Sequence, residues 1–176
     1  MPLNTAVIYH NKGDSADECY TPYYGVDPLL EFIPKDKIIW CPFDEEWSAF
    51  YQTFKRKGYQ VVRSSLAEGQ DFFSYEPEQW DIMISNPPFS KKDEVLQRAY
   101  ELGKPFALLL PANSIQGKKR FQIFQNEIQM LCFDVRIDFH IPFLKSGYQR
   151  MIITSILLTD TLIQLVVKVT VMQRKS

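Results

Sequence analysis

The chain has 176 residues, 45% of them hydrophobic and 23% charged, with a net charge of -1. That supplies the core of a single domain spanning 1–176 and excludes a disordered chain. The near-neutral balance excludes a global basic field, so any nucleic-acid contact has to come from a local patch. Cys19, Cys41 and Cys132 are widely spaced and have only His10 and His140 beside them. They form neither a metal pattern nor a disulfide framework. Free thiols predict a reducing compartment. Met1 to Gly13 lacks the apolar run of a signal peptide, and Met151 to Leu158 is too short to span a bilayer. The expectation is a cytoplasmic protein with no metal and no membrane segment.

Taken in chain order, short apolar runs alternate with helix-length amphipathic stretches, the pattern of parallel βαβ units. Ile38 to Cys41 reads as a buried strand. Ser48 to Lys57 reads as a helix with Phe50 and Phe54 inward, stopped by Gly58. Tyr59 to Arg63 is a second strand, and Asp81 to Ser85 a third, cut off by two prolines. Lys92 to Leu102 places Val95, Leu96, Ala99 and Leu102 on one helical face before Gly103. Phe106 to Leu110 is a fourth strand ending at Pro111, and Phe121 to Phe124 lies in another helix. Further strands are expected within Met130 to Phe139, Met151 to Leu158 and Leu162 to Met172. The last two form an antiparallel pair through Thr159 to Thr161, although Leu162 to Met172 reads equally well as a helix. The predicted result is a mostly parallel α/β sheet with an antiparallel edge and helices around it.

In such sheets ligands bind at the carboxyl ends of the strands. The unusual segments all sit there: Pro42 to Trp47, Ser64 to Asp71, Asn86 to Ser90 and Pro111 to Arg120. Among them, Asn86-Pro87-Pro88-Phe89 carries the most chemistry. Two prolines hold a stiff extended turn without amide hydrogens. Asn86 adds a side-chain carbonyl and Phe89 an aromatic face. An exocyclic aromatic amine needs this equipment, because its lone pair is delocalised into the ring. Two acceptors on its hydrogens localise that pair, and a stacked ring holds the base in line with a methyl donor. The plain alternative is a Pro-rich turn closing a strand, with Phe89 in the core.

A strand running into Asn86-Pro87-Pro88-Phe89 resembles the catalytic motif of S-adenosylmethionine-dependent adenine-specific amino DNA methyltransferases. The resemblance implies a Rossmann-like methyltransferase fold with a mostly parallel seven-stranded sheet, an antiparallel edge and helices on both faces. It implies that the Asn86 side chain and the Pro87 carbonyl accept from the target amine, that Pro88 completes the motif, and that Phe89 stacks on the base. S-adenosylmethionine is the implied cofactor.

On the cofactor side, Tyr20-Thr21-Pro22 resembles the segment preceding the family's first strand. Cys41-Pro42-Phe43 resembles that strand's end, with Cys41 replacing the usual acid and Asp44-Glu45-Glu46 replacing the glycines. Asp44 or Glu45 then substitutes for the missing acid. Ser48 caps the next helix or meets the methionine carboxylate. Ser64 and Ser65 stand where an acid usually receives the ribose, and Asp71-Phe72 matches the family's Asp-Phe facing the cofactor's adenine. Without glycines the backbone approaches a ligand less closely, which predicts weak binding.

Lys91, Lys92, Lys118, Lys119 and Arg120 are the candidate phosphate contacts, with solvated lysines as the plain alternative. The expected partner is nucleic acid, DNA ahead of RNA, presented single-stranded or flipped out. The chain has no room for a separate target-recognition domain, so a partner is a candidate source of target recognition. Two other readings stay open. The same motif serves RNA adenine or protein glutamine methylation, and a degenerate cofactor loop suits a non-catalytic binding module.

Overall fold

The computed structural model describes residues 19–111, 114, 117–123, 128–133, 137–140, 148–150 and 155–159. Its parallel strands are β1 (Ile38–Pro42), β2 (Gln60–Ser64), β3 (Ile82–Ser85) and β4 (Phe106–Leu110). Helix α1 (Ala49–Arg56) joins β1 to β2, and α2 (Lys92–Glu101) joins β3 to β4. Next come α3 (Lys118–Ile123), β5 (Ile128–Cys132), β6 (Asp138–His140), β7 (Tyr148–Arg150) and β8 (Ser155–Thr159).

The main sheet has the order β2-β1-β3-β4-β8-β5, and β6 pairs with β7 in a separate two-stranded ribbon. The first four strands are parallel. Strand β8 runs antiparallel to both β4 and β5. Six strands make up the sheet among the described residues, and the strand that runs antiparallel, β8, lies between β4 and the edge strand β5. A strand has two hydrogen-bonding edges, and β4 and β5 occupy both edges of β8. The expected antiparallel partner strand, Leu162 to Met172, lies outside the described residues.

Strands β1, β3 and β4 are almost wholly apolar, as strands covered on both faces require, whereas β2 at the sheet edge carries Gln60, Arg63 and Ser64. Their alternate residues feed two cores. Ile39, Cys41, Ile82, Ile84, Ala107 and Leu109 pack with Phe50 and Phe54 of α1. On the other face Trp40, Met83, Phe106, Leu108 and Leu110 pack with Val95, Leu96 and Ala99 of α2. The helices therefore cover opposite faces. The predicted stops hold: Gly58 and Gly103, just beyond α1 and α2, take φ of 80° and 66°, the left-handed conformation that costs glycine nothing.

Among the described residues no helix is long and apolar enough to cross a membrane.

Candidate functional site at the strand switch point

Strand β1 lies between β2 and β3. The chain leaves β1 toward β2, then returns past β1 to build β3 on its other side. Connections on opposite sides separate at this point and open a crevice beyond the carboxyl ends of β1 and β3. Asn86 directly follows β3 there.

Asn86 is fully buried. Its Nδ2 donates to the Thr21 hydroxyl at 3.2 Å and to the Cys19 carbonyl at 3.4 Å. A backbone carbonyl only accepts, so the amide nitrogen must face Cys19. Oδ1 is thereby turned the other way, and it is buried without a hydrogen-bond partner. The Tyr20-Thr21-Pro22 segment thus reaches the motif, anchored by reciprocal backbone bonds between Tyr20 and His140 of β6. Pro87 and Pro88 are buried, whereas Phe89 is partly exposed and meets Phe139 edge-on at 6.4 Å between ring centroids.

At the end of β1, Phe43 holds φ at 71°, a left-handed conformation rarely adopted outside glycine. Its ring packs against Phe72 at 4.8 Å. The loop makes its tight turn without a glycine, using a bulky ring tucked into the core. Asp44 follows, fully buried, with its amide bonded to the Ser64 carbonyl. The Ser85 hydroxyl lies 2.5 Å from Asp44 Oδ2 and is also hydrogen-bonded to the Pro42 carbonyl. Asp44 Oδ1 has no partner. Burial pushes the Asp44 carboxyl from 3.8 up to about 8; the Ser85 and Ser48 hydroxyls oppose the rise, Glu45 adds to it and Arg63 opposes it. Burial, then the neighbouring Asp44, pushes the Cys41 thiol well above its usual value.

Buried oxygens without hydrogen-bond partners recur along this edge: Asp44 Oδ1 and Glu45 Oε1 after β1, Ser65 Oγ and Gln70 Oε1 after β2, and Asn86 Oδ1 after β3. Native interiors pair most such groups, so these exceptions at three adjacent strand ends stand out. Arg63 reaches Glu45 at 4.0 Å and Glu68 at 2.7 Å.

Several expected contacts are redirected. The Cys41 side chain belongs to the α1-side core and Phe72 to the α2-side core, against Trp40 and Phe43. Ser48 occupies the N-cap position of α1, but its hydroxyl accepts from the Glu45 amide at 2.8 Å and does not cap the helix. Asp71 Oδ1 accepts from the Phe73 amide at 3.0 Å and shapes its own turn. On the presumed substrate rim, Lys92 donates to the Phe89 carbonyl at 3.1 Å and Arg120 pairs with Asp93 at 2.7 Å. Lys91 stands over the Phe73 ring, and Lys118 is exposed. The Lys119 side chain lies outside the described residues.

Sequence reasoning passed over Ser85, a lone hydroxyl closing the apolar run Ile82-Met83-Ile84 and readable as a signal for that reason. It also passed over Trp47, 40% exposed, whose ring meets Tyr20 edge-on at 5.3 Å. That contact links the segment holding Asn86 to the loop carrying Asp44.

No protein-family model and no curated protein matches this chain.

Proposed function

We propose that this chain transfers a methyl group from S-adenosylmethionine to the exocyclic amine of adenine in DNA. The observation that carries this reading is the buried, unpartnered Oδ1 of Asn86, oriented by Thr21 and Cys19 at the strand switch point. In this reading Oδ1 accepts one hydrogen of the amine and the Pro87 carbonyl the other. The nitrogen lone pair is drawn out of conjugation, and Phe89 stacks on the base. No general base of matched pKa is needed on the chain for that step, because a methylated arylamine loses its proton readily to water. The burial of Asn86 makes its hydrogen bond stronger than the same bond in water.

The residues fit the cofactor in part. When bound, it supplies a methyl group on a positively charged sulfur. Asp44 and Glu45 offer unpartnered carboxyl oxygens to its positive groups, and Ser65 and Gln70 offer oxygens to its hydroxyls. Asp44-Glu45-Glu46 is the feature against tight binding, because these residues stand where the family carries glycines. The same observation favours a second reading, a non-catalytic module that binds nucleic acid or a protein partner with the fold retained.

Transfer of a tritiated methyl group to single-stranded DNA, RNA and protein tests both. Label on adenine in DNA is the expected result. Label on RNA or on a glutamine amide moves the substrate class. No label on any substrate, with cofactor binding intact, leaves the second reading.

A further inference from the structure

We infer that Asp44 is an un-ionised carboxylic acid in the free protein and releases its proton to solvent when a positively charged ligand enters the crevice between β1 and β3. The ligand half of this inference rests on the proposed S-adenosylmethionine site.

Ser85 Oγ contacts two oxygens, the Pro42 carbonyl and Asp44 Oδ2, but carries one proton. The carbonyl can only accept. If Ser85 donates to Pro42, the contact with Asp44 needs a proton of its own, and the carboxyl is the only group that can bring it. If Asp44 is ionised, one of the two contacts sets lone pairs against each other inside the core. The consistent assignment has Asp44 Oδ2–H donating to Ser85 Oγ and Ser85 donating to Pro42.

The surroundings agree. Asp44 has no solvent exposure. Glu45 adds negative charge, and Cys41 lies beside it on β1 as a buried thiol with its own ionisation suppressed. Among the described residues the cation acting on the group is Arg63 on β2, shared with Glu45 and Glu68. The hydroxyls of Ser85 on β3 and Ser48 on the α1 side also oppose the rise, but burial outweighs them. The direction of the Asp44 shift, upward to about 8, follows from this inventory.

A cation near the unpartnered Oδ1 reverses the balance, because an opposite charge favours the ionised form. The step conserves charge: the neutral acid and the cation become a carboxylate–cation pair, and one proton passes to buffer. Uncharged ligands of similar shape gain nothing from it, so the carboxyl selects for positive charge.

Calorimetric titration of the full chain with S-adenosylmethionine at pH 7, in buffers of different ionisation enthalpy, counts the protons. Wild type should release more protons on binding than Asp44→Asn, by up to one per chain, the amide nitrogen of the variant donating to Ser85 as the protonated acid does. Binding with no difference in release overturns the inference while the functional reading stands. The infrared carboxylic-acid band of the free protein, wild type minus Asp44→Asn at pH 7, gives a second readout. Its absence overturns the inference whether or not ligand binds. If the band is present but no S-adenosylmethionine binds, the functional reading falls and takes the ligand-driven step with it.

Discussion

The side-chain nitrogen of Asn86 donates to the Thr21 hydroxyl at 3.2 Å across 65 residues of sequence, beside the bond to the Cys19 carbonyl that decides which way the amide faces. Thr21→Val keeps the shape and removes the acceptor. Losing one of the two orienting bonds, worth about 1 kcal/mol, should lower kcat several-fold. KM for cofactor should hardly change, and Thr21→Ser should restore the rate. Steady-state kinetics on the three proteins separate this positioning effect from a loss of binding.

Asn86→Ala removes the acceptor itself. The barrier should rise by on the order of 3 kcal/mol, with fold and cofactor affinity nearly intact. Near-wild-type turnover by this variant on the true substrate ends the catalytic assignment of the motif.

The Asp44 carboxyl should make stability depend on pH in an unusual direction. Its folded value of about 8 lies above its unfolded value of 3.8, so between those values the folded chain holds a proton that the unfolded chain has lost. Stability is then greatest at the acid end of that window. It falls by up to about 1.4 kcal/mol per pH unit as pH rises, and levels above the folded value. Asp44→Asn should flatten the curve and gain on wild type toward pH 8. Urea denaturation of both proteins across the window checks it; parallel curves refute it.

Cofactor binding should be weak, with a dissociation constant in the tens of micromolar, or about -6 kcal/mol. The loop Asp44-Glu45-Glu46 has no glycine to let the backbone approach a ligand closely, and the Tyr20–Trp47 contact joins the segment before Asn86 to that loop. An edge-on aromatic pair is worth about 1 kcal/mol, so Trp47→Ala should tighten binding several-fold by easing entry. Calorimetry decides; a nanomolar constant for wild type would show that the loop is not impaired.

Nucleic-acid affinity should depend on salt less steeply than five cations would predict, because Lys92 and Arg120 already serve Phe89 and Asp93. With about two phosphates neutralised, log affinity for a single strand should fall against log salt with a slope near -1.4. Reversing Lys118 and Lys119 together should flatten that slope without changing cofactor affinity. Arg120→Ala should instead act on stability, since it removes the ion pair with Asp93. Filter binding over a salt series distinguishes the two, and an unchanged slope in the Lys118/Lys119 double variant removes this rim from the substrate site.

Local pattern alone determined β1 to β4, α1, α2 and the glycine stops at Gly58 and Gly103. Burial periodicity and left-handed turns are properties of neighbouring residues, so they leave a trace in sequence. The same locality exposed Asn86-Pro87-Pro88-Phe89 at a strand end. Only tertiary structure decided the rest. The insertion of β8 between β4 and β5 depends on which edges are vacant once the parallel strands have assembled. The inward turn of Cys41 and Phe72 depends on which core lies on each side of the sheet. Ser85 meets Asp44 across 41 residues and Thr21 meets Asn86 across 65. Such contacts have no period and follow no propensity: they exist because the parallel sheet brings the carboxyl ends of β1 and β3 together, and the first described residues are bonded back onto β6 beside them.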